Sequence, residues 1–267
     1  LGARQPPDPS PGLSAMERGN LVHGCLELLW ARLENQARLV AMDEQALHQL
    51  VDEVTQSAVR EFQKNQRDLF GPVFTTLEQQ RLRKLLLSWL DVEKTRQPFA
   101  VAGMEKRMDT EFAGLPLRMT IDRIDTLDSG ERIIIDYKTG SASTRRWLGE
   151  RPEEPQLPLY LLCSETPVAA VCFAQINSNE QKFLGYANSE GLLPGVIPPR
   201  GKNSEPDSWE QLLEQWKQSL NQLGEEFKQG YAAVEFHHPQ SRQFSAALEP
   251  LNRAAEMTTS SDGENDE

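Results

Sequence analysis

The sequence predicts an α/β fold in which a central mixed β-sheet is flanked by helices. Long segments carry apolar residues at helical spacing, and shorter segments carry them at strand spacing. A turn links two of the predicted strands as a hairpin, and a short helix follows that hairpin before the next strand. At 267 residues the chain can bury a sizeable core as one large domain.

The first helix is predicted over residues 15–34. Ser14 and Glu17 have the S-x-x-E spacing of a capping box. The apolar stripe that follows consists of Leu21, Val22, Cys25, Leu26, Leu29, Trp30 and Leu33. Gly19 and His23 share one face, where glycine permits close approach of another backbone and histidine presents a ring nitrogen. A histidine placed in this way is either functional or structural.

A helical insertion is predicted over about residues 40–96. Its first helix has apolar residues at helical spacing over residues 47–62, and its second begins at Thr76 and continues to Leu90. After Pro98, residues 99–108 are predicted as a strand that carries Glu105. This acid is either an additional group near a metal or an ordinary residue of an edge strand.

The two central strands are predicted to form a hairpin. Apolar residues alternate with polar ones before Asp122, and Ile133 and Ile135 alternate with Asp136 and Lys138. Asp128-Ser129-Gly130 supplies the turn. A turn centred on Ser129 places Asp122 opposite Asp136, with Cβ atoms roughly 4.5 to 5.5 Å apart. Lys138 emerges on the same face as Asp136.

The two aspartates and the lysine have the chemistry of a metal-dependent phosphodiesterase centre. Mg²⁺ typically takes one or two carboxylates together with waters and phosphate oxygens. Lys138 could then orient a water nucleophile or stabilise developing charge. The alternative is an ordinary hairpin in which Lys138 neutralises two exposed acids.

Residues 155–162 are predicted as a short helix on which Gln156 and Tyr160 share a face. These polar groups could hold phosphate, a base or the acid-bearing strands; alternatively Tyr160 packs and Gln156 is solvated. Two further strands, over residues 168–176 and 182–187, and an amphipathic helix over residues 208–229 complete the predicted elements.

The motifs Gly19-x-x-x-His23, Asp122-Arg123-Ile124-Asp125, Asp136-Tyr137-Lys138-Thr139-Gly140 and Gln156-x-x-x-Tyr160 together resemble the RecB-like family of the PD-(D/E)xK nuclease superfamily. The resemblance extends to the C-terminal nuclease domain of RecB- and AddB-type proteins. It implies a restriction-endonuclease-like core and a Mg²⁺-dependent deoxyribonuclease, with Mn²⁺ as a possible substitute.

The resemblance also implies roles for individual residues. His23, Asp122, Asp136 and the Tyr137 carbonyl would bind the metal, and the catalytic set would be Lys138, Asp122, Asp136, Gln156 and Tyr160. The implied activity is that of an exonuclease in DNA repair or recombination, with DNA and a helicase or helicase-like region as partners. The alternative is a noncatalytic module that retains the fold and binds DNA ends or docks on a helicase.

The cysteines exclude the iron-sulfur cluster that several members of this family carry. The chain has only Cys25, Cys163 and Cys172, whereas that cluster needs four cysteine ligands. His237 and His238 lack a suitably spaced third partner and are predicted as loop residues. Three cysteines without a disulfide framework fit reduced thiols and a cytoplasmic location.

The net charge of -12 weighs against a uniformly basic DNA-binding surface. Part of it comes from acids after residue 260, and basic clusters occur at Arg81, Arg83 and Lys84 and at Arg145, Arg146 and Arg151. Arg145 and Arg146 are either DNA contacts or a solvated loop. No apolar stretch or signal-peptide pattern predicts a membrane partner.

The domain organisation is predicted from composition. A Pro-rich linker occupies residues 1–13, the nuclease domain residues 14–240, and a largely disordered tail residues 241–267. Because the sequence begins with this linker and not with methionine, we expect a fragment from the C-terminal part of a longer chain.

Overall fold

The computed structural model describes residues 12–65, 70–201 and 206–233. Residues 12–225 form one compact unit, and the end of the last helix belongs to a second unit. Most of the predicted linker, the pair His237 and His238, and the predicted tail lie outside the described residues. The predicted domain boundaries therefore stay predictions.

The core of the unit is a five-stranded sheet, as the sequence predicts. Its strands are β1 (Phe99–Phe112), β2 (Leu115–Leu127), β3 (Arg132–Lys138), β4 (Val168–Ile176) and β5 (Gln181–Ala187). They are ordered β1-β2-β3-β4-β5. The β3–β4 pair is parallel and the other neighbours are antiparallel, so the sheet is mixed. Strands β3 and β4 are buried on both faces over most of their length, which is typical of central parallel strands.

Four helices precede the sheet along the chain. They contribute to the first of the two hydrophobic cores. They are α1 (Ala15–Leu33), α2 (Gln36–Ala41), α3 (Glu44–Asn65) and α4 (Pro72–Lys94). Their apolar residues pack with Ile133, Ile135 and Tyr137 of β3. Helix α1 has the predicted capping box, in which Ser14 N donates to Glu17 Oε2 at 2.8 Å and Glu17 N donates to Ser14 Oγ at 3.3 Å.

In this region helix α4 begins earlier than predicted, and helix α2 was not predicted. Helix α4 begins at Pro72 and not at Thr76, because proline fits the first turn, where its missing N–H is not needed. Helix α2 has only six residues and no apolar stripe to announce it; Asn35 caps it by accepting a hydrogen bond from Arg38 N at 2.8 Å.

The second core contains residues of the crossover between β3 and β4 and of the last helix. A short 3₁₀ turn (Thr144–Trp147) and helix α5 (Gln156–Leu162) form the crossover, and α6 (Trp209–Lys228) follows β5. Trp147 and Trp216 pack here with Phe173. Trp216 Nε1 donates to the Trp147 carbonyl at 2.8 Å, which ties α6 to the crossover. Among the described residues, no helix is long and apolar enough to cross a membrane.

The β2–β3 hairpin has the predicted register. Arg123 pairs with Ile135 and Asp125 with Ile133, and one further step along the same register places Asp122 opposite Asp136. Strand β1 ends at Phe112, four residues beyond the predicted end, and returns through Ala113 and Gly114 at positive φ. The resulting β1–β2 ribbon extends beyond the section in which β2 pairs with β3.

We expect Gly185→Ala to destabilise the fold, because a Cβ atom there would lie 2.1 Å from the Val171 carbonyl oxygen and 2.6 Å from Cys172 Cα. Neither backbone atom can move without disturbing the β4–β5 pairing, so the free energy of unfolding should fall by at least about 1 to 3 kcal/mol. Urea unfolding measures the change. Gly24→Ala in α1, where an added Cβ meets nothing within 4 Å, is the control and should not destabilise. Equal effects of the two substitutions would contradict the prediction.

Candidate metal centre

Asp122 lies where β2 leaves β3, with 12 % of its side chain exposed. Its Oδ2 accepts a hydrogen bond from Tyr137 N at 2.8 Å across the hairpin. The carboxylate is therefore held by the backbone of the neighbouring strand. This bond also fixes Asp122 beside Asp136, the residue that precedes Tyr137.

Asp136 and Lys138 form the second part of the site. Lys138 Nζ lies 2.7 Å from Asp136 Oδ2, with 34 % of the lysine side chain and 6 % of the aspartate side chain exposed. Lys138 is the charged partner of this buried Oδ2, which has no further hydrogen-bond partner among the described residues. A buried carboxylate oxygen in this condition retains a lone pair for another ligand.

The two aspartates oppose each other's ionisation. Burial raises the pKa of Asp136 to about 6, with the charge of Asp122 acting in the same direction and Lys138 against it. Burial also raises the pKa of Asp122, although His23 and the Tyr137 N–H lower it. Two buried carboxylates in this situation are stabilised as anions by a nearby cation.

His23 reaches the aspartates from α1. Its Nε2 lies 3.1 Å from the Tyr137 carbonyl oxygen, and its Nδ1 lies 3.6 Å from Asp122 Oδ2. If Nε2 carries the proton, it donates to that carbonyl and leaves the Nδ1 lone pair directed at the acids. Histidines that bind metals commonly donate their other ring N–H in this way. Gly19, one turn earlier, faces Thr139, and an added Cβ would lie 3.4 Å from Thr139 Oγ1, which is ordinary van der Waals contact.

Glu105 joins the site from β1. The β1–β2 register has Met104 opposite Arg123 and Lys106 opposite Ile121, which places Glu105 beside Asp122. Its backbone has a φ of 45°, and its Oε1 lies 3.8 Å from His23 Nδ1. Of the two alternatives for Glu105, the structure favours the acid near a metal.

The ligand atoms of His23, Glu105 and Asp122 lie within 4.8 Å of one another. Ligands about 2.1 Å from an octahedral Mg²⁺ ion are separated by roughly 3.0 Å when adjacent and 4.2 Å when opposite. The distances from His23 Nδ1 to the carboxylate oxygens of Glu105 and Asp122 fall in this range. The carboxylate-rich donor set suits Mg²⁺ or Mn²⁺. These residues therefore fit a divalent cation.

Gln156 and Tyr160 contact the strand that carries Asp122. Tyr160 Oη donates to the Thr120 carbonyl, and Gln156 Nε2 donates to Tyr160 Oη. The tyrosine is 2 % exposed. The pair thus braces β2 two residues before Asp122. The structure brings His23, Asp122, Asp136, Tyr137 and Lys138 together, with Gln156 and Tyr160 behind them.

A buried ion network lies under the site. Arg123 donates to Asp125 through Nε at 2.7 Å and Nη2 at 2.9 Å, and to Glu93 Oε1 through Nη1 at 2.7 Å. Arg96 donates to Glu93 and to Asp125, each at 2.7 Å. All four side chains are fully buried. Glu93 and Arg96 were not predicted as site residues, since their i,i+3 spacing at a helix end is also typical of a surface ion pair.

The predicted basic clusters differ in their availability to DNA. Arg145 is exposed, whereas Arg146 Nη1 lies 2.6 Å from Glu154 Oε1. In the other cluster, Arg81 is bound to Glu78 and Arg83 to Asp52, while Lys84 is exposed. The expectation that Arg146 contacts DNA is weakened by its acidic partner.

The fold and the site together define a class: an α/β protein with carboxylates and a lysine at the end of a central hairpin. The chain matches the family model of the PD-(D/E)XK nuclease superfamily over residues 1–241, and it belongs to that superfamily. No curated protein matches the chain. Membership indicates a metal-dependent nuclease with a restriction-endonuclease-like fold.

We expect Arg123→Met to lower the free energy of unfolding by about 3 to 5 kcal/mol, because it leaves Glu93 and Asp125 buried with fewer cationic partners. Arg118→Met on the same strand is the control. Arg118 pairs with Asp109, but their side chains are 83 % and 75 % exposed, so its loss should leave the free energy of unfolding nearly unchanged. Chemical denaturation of both variants measures the difference, and similar losses would refute the role of the network.

Asp136→Asn should stabilise the metal-free protein and remove its response to metal. In chelator, the amide relieves the repulsion between two buried acids, which we expect to add about 1 to 3 kcal/mol to the free energy of unfolding. With Mg²⁺ at 100 times its Kd, the native protein gains about 2.7 kcal/mol, and the variant much less. Thermal unfolding with and without Mg²⁺ tests this, with exposed Asp128→Asn as control. An unchanged Mg²⁺ response in Asp136→Asn would exclude this aspartate as a ligand.

Proposed function

We propose that the protein is a Mg²⁺- or Mn²⁺-dependent deoxyribonuclease of the RecB-like type. The observation that carries the proposal is the convergence of His23, Glu105, Asp122 and Asp136 beside Lys138. The intact set of acids with Lys138 favours the enzyme, because neither a noncatalytic DNA-end-binding module nor a docking module requires all of it.

The metal ligands would be His23, Asp122, Asp136 and the Tyr137 carbonyl, with Glu105 as a further acid. A divalent cation held there would lower the pKa of a bound water and neutralise charge on the phosphate in the transition state. With the ring proton on Nδ1 instead, Nε2 of His23 and Tyr137 O could bind one cation together, since their 3.1 Å separation matches that of adjacent ligands around an octahedral ion.

Among the described residues, Lys138 is the group best placed to act on the reacting atoms. Its ammonium is a compact charge with three donors, anchored by Asp136 and partly open to solvent. It would orient the attacking water and stabilise the negative charge that develops on the phosphate oxygens. The water oxygen bonds to phosphorus as the bond to the leaving oxygen breaks; the attacking water releases one proton to solvent, and the leaving oxygen takes up one proton from solvent.

Gln156 and Tyr160 would act as positioning residues. Their hydrogen bonds end on the Thr120 carbonyl and so hold the backbone that leads to Asp122. A misplacement of about 1 Å at a reacting group can reduce a rate by roughly a hundredfold. Bracing of this strand would therefore affect the rate without substrate contact.

We further propose an exonuclease that acts in DNA repair or recombination, with a helicase or helicase-like region as partner. The acidic chain supports a delivered substrate, since a net charge of -12 disfavours capture of free DNA over long range.

The docking alternative is favoured by one surface feature. Val73 and Leu77, one turn apart on α4, are 75 % and 58 % exposed.

Cleavage assays with end-labelled linear DNA and with circular DNA test the activity. The native protein should cleave with Mg²⁺ or Mn²⁺ and not with chelator, and Lys138→Ala should lower kcat by at least about a hundredfold while folding and metal binding persist. Degradation of linear DNA alone identifies an exonuclease.

Asp128→Asn, in the exposed hairpin turn, is the matched control for charge loss near the site and should keep native activity. Full activity of Lys138→Ala would refute the catalytic assignment. DNA binding without products in either metal would instead support the noncatalytic module.

A further inference from the structure

A groove lies on the surface between α1, α4 and the turn that joins β4 to β5. It consists of two adjoining cavities of about 480 and 250 Å³, which share Arg81, Leu85, Asn177 and Ser178 in their walls. We call it the α4 groove and define it by Arg18, Arg81, Lys84, Asn177, Ser178 and Asn179.

The smaller cavity connects the α4 groove to the catalytic strand. Thr139 and Gly140 line it, and they directly follow Lys138 at the end of β3. Arg18 lines the same cavity from α1, five residues before His23 on the same helix. A chain lying in the groove would therefore lead to the metal centre.

The charged groups of the groove are predominantly cationic. Lys84 is exposed and has no acidic partner among the described residues, and Arg18 donates through Nε to the Leu13 carbonyl at 3.0 Å. Arg81 is held in place by Glu78, whose side chain is only 8 % exposed. The acid that lines the larger cavity, Glu180, is paired with Lys182 at 2.6 Å. Positive charge thus collects here on a chain that is acidic as a whole.

The remaining walls suit an unpaired nucleotide. Asn177, Ser178 and Asn179 add amide and hydroxyl groups, and Leu85 and Val92 add an apolar surface. A volume of about 480 Å³ lies within the usual range for small-molecule sites, so it matches a nucleotide better than a duplex. Cationic grooves that follow the backbone are the usual means of binding a single strand.

We propose that the α4 groove binds the single-stranded DNA that leads into the metal centre, with Arg18 and Lys84 on its phosphates. This inference rests on the proposed nuclease function for its direction toward the site. The groove residues lie away from the metal, so they bind the strand and do not take part in bond cleavage.

Binding of labelled oligo(dT) of about 12 nucleotides in chelator tests the proposal without cleavage. Lys84→Gln should weaken binding and reduce the slope of log K against log salt by about 0.7, and the double variant Arg18→Gln/Lys84→Gln by about twice that, since each loses a phosphate contact. In Mg²⁺, both should raise KM and leave kcat nearly unchanged. Lys84→Arg should restore native binding.

Lys217→Gln, an equal charge change on exposed α6, is the control and should keep the native salt slope. A native slope in Lys84→Gln and in the double variant, or tighter binding of the matching duplex, would overturn the groove assignment. If the native protein cleaves DNA while these variants bind oligo(dT) with the native affinity and salt slope, the groove assignment is refuted and the nuclease proposal is retained. If the native protein and the variants bind oligo(dT) with the expected salt slopes but the native protein does not cleave DNA, the nuclease proposal is refuted and the groove assignment is retained.

Discussion

The fully buried Arg123 guanidinium determines how the rest of the site is arranged. It binds Asp125 on its own strand, Glu93 on α4 and the Tyr137 hydroxyl on β3, and its guanidinium carbon lies 3.9 Å from the Trp30 ring centroid of α1. One side chain thereby joins two helices to two strands. Because side chains alternate along a strand, fixing Arg123 on one face directs Asp122 to the other. A shift of one residue would bury Asp122 in the network and expose the arginine.

The network and the metal centre make opposite contributions to stability. In the network, Glu93 and Asp125 balance Arg96 and Arg123, and each carboxylate has charged donors at hydrogen-bond distance. At the site, Asp122 and Asp136 are buried beside each other and their pKa values are raised. The ion pairs of the network hold the strand from which Asp122 projects toward Asp136. Such a division is expected of an active site, where ligand groups are arranged for a substrate or cation and not for the stability of the empty protein.

Local patterns predicted the parts of the fold that local rules govern. The symmetry of the hairpin about Ser129 placed Asp122 opposite Asp136, because a short turn fixes the register of the strands it joins. Glu105 could not be assigned in the same way, since its side-chain direction depends on a positive φ within β1. Glu93 and Arg96 are brought to Arg123 by the packing of α4 on the sheet, and no spacing in the sequence encodes that contact. The α4 groove likewise joins residues that are distant along the chain.

Charge placement explains how so acidic a chain can accept a polyanion. At the centre, Glu105, Asp122 and Asp136 carry three negative charges when ionised and Lys138 carries one positive charge, so with neutral His23 the sum is -2. One divalent cation cancels that charge, and the phosphate then meets a locally neutral site beside an ammonium. The proposed α4 groove would add cations on α1 and α4, and at physiological ionic strength charges more than about 8 Å from a phosphate are largely screened. A strand bound in the proposed groove would therefore experience the charges of the groove and of the metal centre more strongly than the net charge of the whole protein.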